Sequence, residues 1–381
     1  MSGSRPPGHA DRPWVVVVGA HRSGTSAITG ALVALGLQGV DPGDRMEWEA
    51  SNPHHWESLA AALFDDELLS EGGGTWDAPP PAGWAPEVDR HRDQVDSIMA
   101  AAYPEATPPV WKDPRASLLL PFWREVLPEP LTAVLVWRDP RSVAESLHRR
   151  DGMPIDYGVA LWERYVRSAI AGLSGVDTYV LEYSSTVADP AGSLRGIASW
   201  LGGLERFAPW AGAWDVTAAA ASIDPQLRHH EPEPSGSDET AGLSTETREL
   251  VSWLRHHAGG HSPLEADLPP SDTSMIEAML AGGRAFGSAR TEGRKAHAEA
   301  ARLDAEVARL DADVERITAH ERDLERQLRE GYQTEIERLI AEIDVVRRQE
   351  RLATAELERM QASRSWKMTA PLRAAERRPK R

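Results

Sequence analysis

The residues with the clearest chemical purpose lie between Gly19 and Ser26, in the stretch GAHRSGTS, where one arginine is set among glycines and hydroxyl side chains. Gly19 and Gly24 have the glycine spacing of a nucleotide-binding P-loop, but Thr25 stands where that motif carries its lysine, and Ser26 follows it. The cation has moved into the loop as Arg22. A guanidinium fork can grip two oxygens of a phosphate or sulfate at once, whereas the P-loop lysine acts as a point charge. Further charged groups recur downstream: Lys112, Asp113 and Arg115 in VWKDPR, then Arg138, Asp139 and Arg141 in WRDPR, with Ser146 eight residues after Arg138. Glu49 and Glu57 lie among Trp48 and Trp56 in the segment between the loop and the first of these.

Each group needs an element to hold it. WVVVV, from Trp14, is a β-branched run bounded by glycine, as expected of a strand buried on both faces of a parallel sheet. Ser26 to Leu37 places Ile28, Ala31, Leu32 and Leu35 on one helical face, so the loop ends at a helix N-terminus, where unpaired N–H groups and the dipole favour an anion. Val110 to Pro114 reads as the end of a short second strand, Leu131 to Trp137 as a third and Thr178 to Leu181 as a fourth ending in Glu182 and Tyr183. Helices are expected from Leu118 to Trp123, after Pro140, from Val159 to Leu173 and from Pro190 to Leu201, and Ser146 falls about two turns into the second of these. Gly72 to Pro86, rich in glycine, proline and tryptophan, reads as a loop or lid without regular structure. Alternating strands and helices predict an α/β fold, a P-loop-like parallel sheet flanked by helices, and ligand groups gather beyond the carboxyl ends of such strands.

GAHRSGTS resembles the loop by which sulfotransferases hold the 5′-phosphosulfate of 3′-phosphoadenosine 5′-phosphosulfate, and WRDPRSVAES resembles their second motif, which holds the 3′-phosphate. The resemblance spans roughly Trp14 to His230. It implies that Arg22, Ser23, Gly24, Thr25 and Ser26 cradle the 5′ end, that Arg138 and Ser146 hold the 3′-phosphate, and that Tyr183, in VLEY, lies near the nucleotide. The arginine loop and the KDPR segment look more like bacterial and carbohydrate sulfotransferases than the cytosolic small-molecule enzymes, which typically carry lysine where Arg22 stands. No match to the late glycine-rich nucleotide loop of those enzymes is present; Gln226 to His230 occupy that part of the chain.

Sulfuryl transfer, like phosphoryl transfer, relies on positioning and cations. Arg22 and Lys112 are the candidates for stabilising the oxygens of the moving group. Glu57 is the first candidate for the general base, because it precedes a helix beside the loop in a segment similar to the family's base-bearing region, with Asp113 and Glu49 as rivals. No metal is required. Asp139 after LTAVLVW also fits a Walker-type metal ligand, which would belong to an ATP-dependent kinase-like enzyme. A third reading is a non-catalytic glycan-assembly scaffold. Trp48, Trp56, Trp76 and Trp84 suggest sugar stacking, against the plainer expectation that most of the fourteen tryptophans are core.

Composition narrows the classes. A net charge of -17 argues against a nucleic-acid binder, so any anion site is local. Zero cysteines exclude disulfides, thiolate nucleophiles and cysteine-held metals. VVVV is too short for a signal core or a membrane span, and the cytoplasm is the expected location. From Arg302 onward Leu303, Val307, Leu310, Val314, Ile317, Leu324 and Leu328 form a heptad seam broken once by Glu321; at Gly331 and Tyr332 the phase slips by one residue and resumes through Ile336, Leu339, Ile343 and Val346. The expected partner is a second copy of the chain. Ser363 to Arg381 carries seven basic residues with Trp366, Met368 and Leu372, and suits contact with anionic lipid at the inner face of the membrane or with a protein partner. The expected divisions are a disordered N-terminus at 1–12, a sulfotransferase-like domain at 13–258, a linker and short helix at 259–290, a coiled coil at 291–362 and a basic tail at 363–381. A carbohydrate or glycolipid acceptor completes the reading.

Overall fold

The structure is a computed structural model and describes residues 12–46, 55–127, 131–223, 242–268 and 272–363, with the backbone alone at 284–301, 304 and 305. The chain divides into two units, Met1–Gly293 and Arg294–Arg381.

The first unit is built on a sheet with strand order β2-β1-β3-β4-β5. The apolar run forms β1 (Trp14–Val18), which pairs in parallel with β2 (Val110–Lys112) on one side and β3 (Leu131–Trp137) on the other. β4 (Asp177–Glu182) continues the parallel set, and β5 (Gly259–His261) closes it antiparallel, Tyr179 opposite Gly260. The chain leaves β1 to one side for β2 and returns to the other for β3, so the order reverses at the end of β1. In open α/β sheets that is the place where loops splay apart and leave a crevice.

Alternation along the strands sorts the core into two layers. Val15 and Val17 pack with Val134 and Val136 beneath α1 (Thr25–Leu35), while Val16, Val18, Leu135 and Trp137 face a cluster that includes Phe64, Trp111, Trp123, Trp162 and Tyr165. That second layer is carried by α2 (Leu59–Glu71), α3 (Val88–Ala102), α4 (Ala116–Val126), α5 (Pro140–Asp151) and α6 (Ile155–Gly172). α7 (Tyr183–Ala188) and α8 (Pro190–Gly203) follow β4 on the α1 side, then α9 (Ala208–Ala211), α10 (Val216–Ala221) and α11 (Thr245–His256). With both faces covered, β1 is apolar at every position and β3 at every position but Thr132, and both are buried throughout.

Two expectations change here. The segment 259–290, read as linker and short helix, supplies β5, the buried Leu264 and the start of α12 (Ser274–Ala362), where Leu280 is buried and Glu277 accepts from Arg164 at 2.7 Å. Two glycines in a three-residue strand leave no side-chain alternation to read; the main-chain ladder alone defines it. Gly72 to Pro86, read as a loop or lid, is an irregular loop, and the burial of residues 74–80 sets the lid alternative aside. Tyr165 Oη donates to Trp76 O and Tyr157 Oη to Asp77 O, each at 2.7 Å, which fastens the loop to α6.

In the second unit the helix continues to Ala362. Its heptad residues from Leu303 to Leu328 are between 46% and 66% exposed. Among the described residues no helix is long and apolar enough to cross a membrane. The linker-like stretch around Glu231, the residues Gln226 to His230 and nearly all of the basic tail lie outside the described residues.

Candidate active site

The carboxyl ends of β1, β2, β3 and β4 deliver the loop of Arg22, then Lys112, Arg138 and Tyr183. The loop after β1 is tightly constrained. Gly19 N–H donates to Ser117 Oγ at 2.9 Å, and a Cβ at Gly19 would lie 2.1 Å from Val136 O, so only glycine lets the loop pass over β3. Gly24 has φ +91, and its missing Cβ leaves room for the Tyr183 ring, 2.1 Å from where that atom would be. Arg22 has φ 67 and is the one non-glycine with positive φ among the described residues. A bulky L-residue held there costs roughly 1–2 kcal/mol, and such conformations persist where surrounding structure enforces them.

What enforces this one is visible. Arg22 Nε donates to Ser146 Oγ at 2.9 Å, joining the β1–α1 loop to α5. Ser146 was expected beside Arg138; its hydrogen bond is instead to Arg22. Arg138 lies with its guanidinium 5.6 Å from the centre of the Tyr183 ring. The same ring packs on Gly24. Arg22, Ser146, Arg138, Tyr183 and Gly24 therefore form one connected group around the first turn of α1. Arg138 has no ion pair with a described residue, and partial burial lowers its pKa from the ordinary arginine range, with Tyr183 and Asp139 opposing the change. Ser23 Oγ is buried and has no hydrogen-bond partner. A half-buried, unpaired guanidinium and an orphaned hydroxyl beside a helix N-terminus suit an anion.

On the β2 side Lys112 is 0% exposed and donates to Ser26 Oγ at 2.8 Å and to Glu57 Oε1 in a close ion pair. Glu57 is 8% exposed, and its other oxygen accepts from Trp56 N–H at 3.0 Å. His55 Nδ1 lies 3.4 Å from that oxygen without hydrogen-bond geometry. Burial opposes ionisation of Glu57, but the Lys112 ammonium outweighs it and, with His55, holds the carboxyl well below its ordinary range. Glu57, Lys112 and Ser26 are thus brought together with the anion loop, Ser26 being in the first turn of α1. Thr25, beside it, is buried and packs its methyl near Gly19.

Asp113 is not part of this group in the way expected of a base. Its carboxylate is 1% exposed and accepts from Arg115 N at 2.8 Å and Arg115 Nη1 at 3.2 Å, while Arg115 Nε donates to Asp66 at 2.7 Å. A buried carboxylate locked to its own arginine has no route to an acceptor hydroxyl. Burial and Glu57 raise the pKa of Asp113 against the pull of Arg115, and burial with the field of Asp113 raises Asp65. Asp65 accepts from Trp123 Nε1 at 2.9 Å and keeps its second oxygen unpartnered. Asp139 caps α5 by accepting from Ser142 N–H at 2.7 Å, a structural role that replaces the metal-ligand reading. Among the described residues no group of three or more His, Asp or Glu is arranged to hold a metal. Glu49, Trp48 and His54 lie outside the described residues.

The tryptophans expected to stack on sugar are packed. Trp56 fills the space over Gly30 and Gly39, Trp84 lies on Gly72 and Pro80, and Trp76 is buried against the ring of His21 at 4.5 Å. His21 and Ser117 are the site neighbours that the sequence did not single out. His21 Nε2 is shielded without a partner; burial, then the charges of Arg115 and Arg150, push the imidazole well below its ordinary pKa. Its place within GAHRSGTS was the available signal, whereas nothing local marks Ser117.

No protein-family model and no curated protein matches the chain. Solved structures that align with it include two sulfotransferases. The sulfotransferase domain of the olefin synthase from Synechococcus PCC 7002 has 19% identity and a TM-score of 0.35, over 66% of this chain and 98% of that one. Sulfotransferase STF1 from Mycobacterium tuberculosis H37Rv has 13% identity and a TM-score of 0.35, over 72% of this chain and 78% of that one. At those values the assignment of function rests on the residues themselves.

Proposed function

We propose that the chain is a sulfotransferase that moves a sulfuryl group from 3′-phosphoadenosine 5′-phosphosulfate to a hydroxyl of a carbohydrate or glycolipid, in the modification of cell-surface glycans. The observation that carries this reading is the Arg22–Ser146 hydrogen bond at 2.9 Å, which joins the loop after β1 to the helix after β3, with Arg138 at the start of that same connection against the Tyr183 ring. Two guanidinium groups on separate loops suit a carrier with a charged group at each end. Arg22, Ser23, Gly24, Thr25 and Ser26 would hold the 5′ end, Arg138 and Ser146 the 3′-phosphate, and Tyr183 would lie between them against Gly24. The orphaned Ser23 hydroxyl and the unpaired Arg138 support the fit.

The donor supplies an activated sulfur: the acceptor oxygen bonds to it as the bond to the 5′-phosphate oxygen breaks, and the hydroxyl proton leaves to a base. Glu57 is the carboxylate beside the loop that could take that proton, and Lys112 and Arg22 are the cations beside the oxygens on which charge collects. No residue in this scheme calls for a metal.

Assembly and location complete the proposal. The exposed seam after Leu303 pairs with a second copy of the chain, as a sustained heptad of apolar residues would. The enzyme works in the cytoplasm, with the basic tail near anionic lipid. A transfer assay with sulfur-labelled donor and an extract of the host's own surface glycans tests the activity. Label in the glycan fraction, lost on Arg22→Ala and Arg138→Ala, is expected; stabilisation by ATP with magnesium and none by 3′-phosphoadenosine 5′-phosphate would favour a kinase-like enzyme instead.

A further inference from the structure

Both oxygens of Glu57 are already engaged: Oε1 by Lys112, and Oε2 by the Trp56 N–H at 3.0 Å with His55 Nδ1 at 3.4 Å. An acceptor hydroxyl therefore meets a carboxylate whose charge is already neutralised by a buried ammonium. The carboxyl is also held far below the range in which a carboxylate is an effective base. The obstacle and its remedy lie on the same side chain, because Lys112 Nζ bonds Glu57 and, at 2.8 Å, Ser26 Oγ in the first turn of the anion helix.

We infer that Lys112 is a positioning residue shared between Glu57 and the donor, so that an anion on the first turn of α1 draws the ammonium away and only then frees Glu57 to act as the base. The inference rests on the donor and base assignments proposed above. Lys112 ends β2 beside β1, Val17 being its register partner, and its 0% exposure means that no solvent competes for the ammonium. A buried ammonium stays near an anion because an unpaired one is costly. In the free protein that anion is Glu57. Once an anion lies at Ser26, the lysine has two, and the coupling is reciprocal: whatever draws Lys112 to the donor raises the proton affinity of Glu57, and protonating Glu57 tightens the donor. The other ionisable groups in the field of Glu57 are His55 on its own loop, His21 of the β1–α1 loop, Asp113 beyond β2 and Tyr103 at the end of α3; none of them bridges to α1. The arrangement makes donor-first binding an advantage, since a hydroxyl arriving earlier meets a carboxylate that does not accept its proton.

The test is a pH titration of the Glu57 carboxyl by carbon-edited NMR of glutamate-labelled full chain, assigned with Glu57→Gln, with and without 3′-phosphoadenosine 5′-phosphate, binding being checked by calorimetry on the same samples. The expected result is a rise of about one pH unit or more in the Glu57 midpoint on binding, with movement of the Lys112 ammonium signal in nitrogen-labelled protein. In Lys112→Met the midpoint is already raised without nucleotide, and the nucleotide adds less than half of the wild-type rise. If that variant does not fold, the Lys112 signal of the wild type decides alone. Binding heat with an unmoved Glu57 midpoint, or with an unmoved Lys112 signal, overturns this inference and leaves the donor assignment standing; absence of heat overturns both.

Discussion

Replacing Arg22 with glycine separates what this residue does for the fold from what it does for the ligand. Its φ of 67 costs roughly 1–2 kcal/mol, which glycine would not incur. Against that, the hydrogen bond to Ser146 Oγ at 2.9 Å is lost, roughly 1 kcal/mol, and a glycine adds roughly 0.5–1 kcal/mol of unfolded-chain entropy. The terms nearly cancel, so Arg22→Gly should change the unfolding free energy by less than about 1 kcal/mol. The ligand term does not cancel: a charge-assisted fork to an anion is worth about 3 kcal/mol or more, so affinity for 3′-phosphoadenosine 5′-phosphate should fall by about 100-fold or more. Arg22→Lys, which keeps the charge and the backbone strain but not the fork, should fall between. Urea unfolding and calorimetric titration read the two quantities on the same preparations. A loss of more than about 3 kcal/mol in stability, or an affinity within twofold of wild type, would refute the idea that the strained arginine is held for the ligand.

Gly24→Ala should destabilise the chain by about 2 kcal/mol or more and open the site, because the new Cβ lies 2.1 Å from Tyr183 Cδ2 at φ +91; a denaturation midpoint equal to wild type would contradict this. Asp65 and Asp113 have raised pKa values in the folded protein, so the folded state holds protons that the unfolded chain releases. Stability from this pair is complete below the unfolded carboxyl range of about 4 and is lost as pH rises through the higher folded values, and Asp65→Asn should flatten that slope in urea unfolding above about pH 4; an unchanged slope would contradict it. Glu321→Leu removes the charge that interrupts the heptad seam and should raise the thermal midpoint of association, measured with sedimentation at several concentrations; an unchanged monomer would sink the self-pairing proposal.

What could be read from the sequence follows from how local each signal is. β1 is an uninterrupted apolar run and β3 is broken only by Thr132, so β3 reads from the sequence at its observed limits, Leu131–Trp137. α3 went unread because DRHRDQVDS is polar around most of its circumference, leaving His91, Val95 and Met99 as a thin stripe that only the packed partners reveal. At the site, Arg22 with its hydroxyl neighbours and Lys112 at a strand end were legible one by one. Their pairing was not: Lys112 meets Glu57 and Ser26, and Arg22 meets Ser146, across separations in the chain that no local pattern encodes. The same limit made Asp113 look like a free acid beside a strand end, when burial with Asp65 and Arg115 commits it to the fold. Tryptophans that composition offered to a sugar were needed to fill space over Gly30, Gly39 and Gly72.

The most direct measurement is a calorimetric comparison of 3′-phosphoadenosine 5′-phosphate with adenosine 5′-phosphate on wild type and Arg138→Ala. The 3′-phosphate should tighten binding by about 100-fold in the wild type and by less than about threefold in the variant. Equal affinity of the wild type for both nucleotides, or a 3′-phosphate advantage that survives loss of Arg138, would contradict a crevice in which two guanidinium groups hold opposite ends of one nucleotide.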